Sequence, residues 1–142
     1  MRSLFDINVL LALMDPDHVH HERVRSWWAR EREHGWASCP ISQNGFIRVI
    51  SQRSYTSSKP IADAIAILRR ATSRPDHQFW PDDISILDRE AIDSARLLGP
   101  SQLTDVYLLA LSTRRGGRFA TLDRGISTAA VRDAGSENLV VV

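Results

Sequence analysis

The chain has 142 residues, of which 43% are hydrophobic and 25% charged, and its formal net charge is +1. These totals are typical of one folded domain covering residues 1–142, and they exclude disordered and fibrous classes. The only cysteine, Cys39, excludes an internal disulfide and a cysteine-rich zinc site. Because no stretch approaches the roughly 20 apolar residues of a membrane helix, we expect a cytoplasmic protein without membrane contact.

Short apolar segments alternate with segments of helical periodicity along the chain. The apolar segments predict strands at 3–6, 36–39, 77–80, 118–122 and 139–142. The periodic segments predict helices at 9–14, 18–33, 45–51, 61–72, 88–98 and 103–115.

Several helix ends carry recognisable signals. Ser42 is a plausible cap for the helix at 45–51, and Pro60 precedes the helix at 61–72. Gly116 follows the last long helix, as expected of a C-terminal glycine. Strands that alternate with amphipathic helices predict an α/β fold with a central, mostly parallel sheet covered on both faces.

Three aspartates are expected at one edge of that sheet. Asp6 follows the first strand, Asp123 follows the strand at 118–122, and Asp105 lies in the first turn of a helix. Ligands of open α/β sheets bind beyond the carboxyl ends of the strands. Asp105 alone is also consistent with a helix-dipole acid and Asp123 with a turn residue. Asp6 lies among apolar residues and is expensive to bury without a partner, so the three together favour a site.

Such a cluster requires a cation. Two carboxylates about 4 Å apart repel by roughly 4 kcal/mol at an effective dielectric near 20. Oxygen ligands select Mg²⁺ or Mn²⁺, which accept phosphate oxygens and can activate water for in-line attack. The histidines form no evident zinc cluster, because His34 and His77 are isolated and the group at 18–21 precedes a helix.

Five parts of the chain, in order, resemble the PIN domain of the VapC toxin family, the ribonuclease half of toxin–antitoxin pairs. They are the opening part (4–13 and 16–21) and the segments 39–49, 77–83, 103–111 and 116–123. The resemblance implies a PIN-like three-layer α/β/α sandwich and a Mg²⁺- or Mn²⁺-dependent endoribonuclease.

The resemblance also assigns residues. Asp6, Asp105 and Asp123 take the family's acidic metal-site positions, and Asn8 and Thr121 take supporting hydrogen-bonding positions.

One position departs from the family pattern. Gln43 stands where the family often has glutamate, and an amide offers a carbonyl oxygen to a metal or its water but no charge. The sequence therefore leaves two alternatives, an active ribonuclease or an inert PIN domain that acts by binding RNA or an antitoxin.

Other residues are less specific. The basic residues are almost all arginine, which suits phosphate but is also typical of a GC-rich genome. By position, the best phosphate candidates are Arg114, Arg115, Arg118 and Arg124. The tryptophans and the pair Asp82 and Asp83 are interpreted as structural.

Two other enzyme classes fit less well. A phosphatase of the haloacid dehalogenase type would have an acid where the chain has Asn8. A response-regulator receiver would have paired acids after the first strand and a late lysine, whereas Lys59 is the only lysine. The expected partners are an RNA substrate, a VapB-type antitoxin and, by weak apolar signals on the early helices, a second copy of the chain.

Overall fold

A parallel sheet forms the centre of the molecule. A computed structural model describes all residues from Met1 to Val142. The strands are β1 (Ser3–Phe5), β2 (Trp36–Ser38), β3 (His77–Phe79), β4 (Arg118–Thr121) and β5 (Leu139–Val141). Their order across the sheet is β3-β2-β1-β4-β5, and every neighbouring pair is parallel. The predicted mostly parallel sheet is therefore confirmed, with no antiparallel strand in it.

Helices cover both faces of this sheet. The α-helices are α1 (Ile7–Met14), α2 (His21–Glu31), α3 (Pro40–Ile50), α4 (Ile61–Thr72) and α5 (Leu103–Arg114). Short 3₁₀ turns occupy Arg32–His34, Ser94–Arg96, Pro100–Gln102, Thr128–Ala130 and Ser136–Asn138. No helix is long and apolar enough to cross a membrane.

Alternation along the strands divides the core into two layers. Phe5 and Ala120 pack with α1 to α4 on one face, whereas Leu4 and Phe119 pack with α5 on the other. This is the expected outcome for a strand whose successive side chains point to opposite faces. The predicted tryptophan role is also confirmed on the first face, where Phe5 stacks on Trp36 with ring centroids 5.1 Å apart.

One predicted helix is absent, and the predicted start of another is wrong. The segment 88–98 is not a helix, because Ile92 pairs with Val131 in an antiparallel bridge. Asp88 and Asp93 also accept hydrogen bonds from backbone groups two residues later, which favours turns over helix.

The other correction concerns α3. It begins at Pro40 and not at Gly45, with Cys39 as its N-cap. Ser42, predicted as the cap, instead lies in the first turn of α3 and accepts a hydrogen bond from the Cys39 N–H at 3.0 Å.

A glycine contact sets the approach of α3 to α1. A Cβ built on Gly45 would overlap Cδ1 of Ile7, so the absence of a side chain lets the two helices lie close together. Because α1 follows β1 and α3 follows β2, both helix N-termini lie at the carboxyl edge of the sheet.

Candidate active site

Asp6 directly follows β1 and is the N-cap of α1. Its Oδ1 accepts a hydrogen bond from the N–H of Ile7, the first residue of that helix, at 2.7 Å. Its Oδ2 accepts one from the Thr121 hydroxyl at 2.6 Å. The residue is only 6% exposed, so these bonds replace the water that a buried carboxylate loses.

Thr121 and Asn8, the two residues predicted to support the site, hydrogen-bond to each other beside Asp6. The Thr121 hydroxyl accepts hydrogen bonds from Asn8 Nδ2 at 3.2 Å and from the Asp123 N–H at 3.0 Å. Asn8 Oδ1 in turn accepts one from the Leu122 N–H at 3.0 Å. Thr121 therefore uses its one proton on Asp6 and its lone pairs on Asn8 and Asp123, which ties α1 to the end of β4.

Asp105 and Asp123 line one cleft beside Asp6. Asp123 lies in the exposed turn after β4, where its Oδ1 accepts a hydrogen bond from the Gly125 N–H at 2.7 Å. Asp105 is half-buried in the first turn of α5. The cleft has a volume of about 500 Å³ and lies between the start of α5, the segment before α5 and the segment after β4. Its other lining includes Arg96, Ser101, Gln102, Val106, Ser127 and Ala129.

The carboxylates affect one another electrostatically. Burial raises the pKa of Asp105 to about 6, with further contributions from the charges of Asp6 and Asp123. Burial also raises the pKa of Asp6, and the hydrogen bond from Thr121 opposes that shift. The three carboxylates therefore share one electrostatic environment. A bound cation would relieve the repulsion between their charges and keep all three ionised.

The donor set fits a small, hard cation. No three His, Cys, Asp or Glu side chains are arranged so that they could enclose one ion directly. Mg²⁺, however, retains several waters and binds through only one or two carboxylates together with substrate phosphates. Carboxylates at the rim of an open cleft suit that mode, and not the dense cysteine or histidine cage of structural zinc.

Gln43 lies in the first turn of α3, at the same edge of the sheet. Its Nε2 donates a hydrogen bond to the Ser38 Oγ at 2.9 Å, and the side chain makes no hydrogen bond to Asp6, Asp105 or Asp123. Ser38 and His77 were not identified from the sequence as part of this region. Their separation along the chain gave no local pattern that would have revealed them.

The four predicted phosphate arginines are not brought together. Arg118 begins β4 and pairs with Glu31, while Arg114 and Arg115 end α5, so these three lie at the opposite edge of the sheet from Asp123. Arg115 pairs with Asp83 at 2.5 Å. Of the four, only Arg124, next to Asp123, remains near the cleft. Position in sequence was a poor guide, because the two ends of β4 lie at opposite edges of the sheet.

Asp82 has the structural role expected of it. Its Oδ2 accepts a hydrogen bond from the Ile41 N–H at 3.2 Å, at the N-terminus of α3. It therefore caps that helix from the loop after β3 and lowers the cost of unpaired N–H groups there.

Comparison with known proteins identifies the family. The PIN domain family model matches residues 3–131. Ribonuclease VapC44 of Mycobacterium tuberculosis is 52% identical over 142 residues, covering 100% of both chains. Ribonuclease VapC39 of the same species is 41% identical over 144 residues, covering 100% of this chain and 99% of the relative.

A solved structure shows the same fold at low sequence identity. It is the crystal structure of Mycobacterium tuberculosis VapC20, described as a toxin that cleaves the sarcin-ricin loop. The TM-score is 0.63 at 13% identity, with 93% of this chain and 98% of that chain covered. The resemblance seen in the sequence is confirmed, and the chain belongs to the VapC family of PIN-domain ribonucleases.

Proposed function

We propose that the chain is a metal-dependent endoribonuclease and the toxin of a type II toxin–antitoxin pair. The observation that carries the proposal is the Asp6 carboxylate, buried and held by Thr121 beside a cleft lined by two further carboxylates. Full-length similarity to proteins named ribonuclease VapC supports the same activity.

Asp6, Asp105 and Asp123 would hold Mg²⁺ or Mn²⁺ at the mouth of this cleft. When bound, such an ion supplies Lewis acidity to phosphate oxygens and makes water a better nucleophile near neutral pH. Asp6 would be the fixed anchor, because two hydrogen bonds orient its carboxylate before any ligand arrives. Asp105 would also respond to the ion, because a nearby cation would lower its pKa from about 6 and keep the carboxylate ionised at lower pH.

The cleft provides a path for the RNA next to those carboxylates. Its floor includes Val106 and Ala130, while Arg96, Gln102 and Ser127 add hydrogen-bonding groups. Proteins that recognise single-stranded RNA stack its bases on aromatic side chains or arginine planes and hydrogen-bond the base edges with polar groups. An unpaired loop of a folded RNA therefore suits this cleft better than a continuous duplex.

Gln43 gives a reason to keep the inert domain as a second candidate. It contributes no charge where the family often has glutamate, and its amide nitrogen is already engaged with Ser38. In that case the chain would bind RNA, or an antitoxin, without cutting it.

The partners follow from the family and from one exposed surface. A VapB-type antitoxin encoded with the chain would be the natural inhibitor. A homodimer is suggested by an apolar groove between α3 and α4, where Ile47 and Ile65 lie beside Ile61, which is 62% exposed. Sedimentation of the purified chain as a monomer at micromolar concentration would contradict the homodimer. We further propose that the protein acts in the cytoplasm, where its RNA substrates are.

One assay decides between ribonuclease and inert binder. Purified protein is incubated with total cellular RNA, with and without Mg²⁺ or Mn²⁺, beside the variant Asp6→Asn. Metal-dependent cleavage that is lost in the variant supports the ribonuclease. RNA binding without cleavage supports the inert domain.

A further inference from the structure

Three side chains from neighbouring strands and a helix form a series of hydrogen bonds, which reaches the edge of the sheet where Asp6 lies. Gln43 Nε2 donates to Ser38 Oγ at 2.9 Å, and Ser38 Oγ lies 2.8 Å from His77 Nε2. Ser38 is fully buried at the end of β2, and β3, which carries His77, is the next strand of the sheet. The contacts therefore link two strands to the first turn of α3.

The protonation of His77 determines which group donates and which accepts in each of these hydrogen bonds. Burial lowers the pKa of His77, and the nearby positive charge of Arg2 lowers it further, so the ring is neutral at pH 7. The Thr72 carbonyl, as a hydrogen-bond acceptor for the ring, and the charge of the Asp76 carboxylate both act to raise the pKa and so oppose that shift. A neutral imidazole has one N–H, and the one facing Thr72 leaves Nε2 as an acceptor.

The remaining hydrogen positions follow in sequence. Because His77 Nε2 accepts, the Ser38 hydroxyl donates to it, and the Ser38 lone pairs are left to accept from Gln43. Only the nitrogen of the Gln43 amide satisfies that arrangement. The amide is therefore oriented with Nε2 toward the sheet, and Oε1 is left without a hydrogen-bond partner within the chain.

We propose that Ser38 and His77 are positioning residues that orient the Gln43 amide, so that Oε1 is offered as an acceptor at the edge of the sheet where Asp6 lies. This inference rests on the proposed ribonuclease function. It assigns Gln43 a defined task, which is to present a neutral oxygen to a water molecule, a substrate hydroxyl or a hydrated ion at that edge of the sheet.

The same hydrogen bonds explain why glutamine suits position 43 in this protein. A carboxylate at position 43 would have no proton to donate, so the Ser38 hydroxyl would have to donate to it. His77 Nε2 would then need a proton. The ring would either shift to its other neutral tautomer and lose its N–H toward Thr72, or become charged, which partial burial disfavours. The three residues are thus matched to one another, and Gln43→Glu alone would not simply add a metal ligand.

A double-mutant cycle tests the positioning role. His77→Leu removes the acceptor, whereas His77→Gln retains a carbonyl that can accept from Ser38. We expect His77→Leu and Ser38→Ala to lower kcat for RNA cleavage about three- to tenfold, the range of one hydrogen bond, with KM unchanged. His77→Gln should remain near the parent value.

The decisive comparison uses Gln43→Ala as the background. If Ser38 and His77 act through Gln43, their substitution causes no further loss of kcat in that background. An equal loss in both backgrounds overturns the proposal, because it shows a general effect on folding or packing. Melting temperatures of all variants identify any that are simply unfolded, and Ser38→Ala and His77→Leu serve as independent checks on each other.

A second measurement needs neither metal nor activity. In NMR spectra of the metal-free protein, the Gln43 side-chain amide protons should exchange with solvent more slowly than those of exposed Gln52. Ser38→Ala should bring the two rates together. Equal rates in the parent protein overturn the inference. Absence of metal-dependent cleavage by the parent, with slow Gln43 exchange retained, would instead refute the proposed function while leaving the orientation intact.

Discussion

The hydroxyl of Thr121 lies 2.6 Å from Oδ2 of Asp6, joining the end of β4 to the end of β1 through one buried hydrogen bond. Both residues are almost fully enclosed, Thr121 at 0% and Asp6 at 6% exposure. A carboxylate held in this way is oriented by the protein itself, so a ligand need not order it on binding.

Replacing Thr121 with valine should weaken both stability and activity. The change keeps the shape but removes the donor, so Asp6 loses the main hydrogen bond that opposes its raised pKa. We expect a loss of about 1–3 kcal/mol in the free energy of unfolding, measured by urea denaturation, and a higher pH requirement for cleavage. Thr121→Ser keeps the hydroxyl and should behave as the parent in the pH profile.

Asp105 should make the metal-free protein less stable as the pH rises. Its pKa is 3.8 in the unfolded chain and about 6 in the folded protein, so the folded state binds the proton more tightly. The free energy of unfolding therefore falls as the pH rises, and the decline lies between about pH 4 and pH 6. Urea unfolding in EDTA at pH 5 and pH 7 measures this decline. If the free energy of unfolding of Asp105→Asn falls by the same amount between the two pH values, the prediction is contradicted.

Metal binding should raise the melting temperature. A ligand that binds only the folded state stabilises it, by about 2.7 kcal/mol at 100 times its Kd. The increase with millimolar Mn²⁺ should be smaller in Asp105→Asn and absent when Asp6, Asp105 and Asp123 are all replaced by asparagine. Glu33→Gln, an exposed acid just before β2 at the opposite edge, should retain the full increase. If the triple variant also retains it, the metal binds elsewhere.

Substitution of Arg118 should affect stability, whereas substitution of Arg124 should affect RNA cleavage. Arg118 pairs with Glu31, donates to Ser3 Oγ at 2.9 Å and lies over the Trp27 ring, far from the cleft. Arg118→Ala should cost about 1 kcal/mol in the free energy of unfolding and leave kcat unchanged. Arg124→Ala should do the reverse, raising KM for RNA in a salt-dependent manner. Equal effects of the two changes on KM would contradict the placement.

The cleft beside Asp105 should be sensitive to filling. Ala129 lines it and is exposed, so Ala129→Trp adds volume without disturbing the core. We expect KM for RNA to rise several-fold while the melting temperature changes little. Ala62→Trp, on the exposed surface of α4, is the matched control. Unaltered RNA cleavage by Ala129→Trp would mean that the substrate does not occupy this cleft.

The sequence predicted the sheet edge well because that prediction depended on local signals. Apolar runs located all five strands to within a residue or two, and parallel strands necessarily bring their carboxyl ends together. Asp6 and Asp123 follow two adjacent strands, so their proximity required no knowledge of distant contacts.

Features that depend on distant partners could not be predicted in the same way. The helix expected at 88–98 is absent because Ile92 pairs with Val131, which lies beyond α5. The start of α3 was missed because Cys39 is not a favoured capping residue. The contact of Ser38 with His77 and Gln43 likewise depends on the order of β2 and β3 in the sheet.

The close approach of Gly45 to Ile7 has a consequence for the evolution of this site. Ile7 is the residue bonded to Asp6, and Gly45 lies two positions after Gln43. Any larger side chain at position 45 must push Ile7 aside, and would thereby shift Asp6 relative to Gln43 without contacting either. A residue that has no side chain and takes no part in chemistry thus constrains which sequences can retain the spacing of the two site residues.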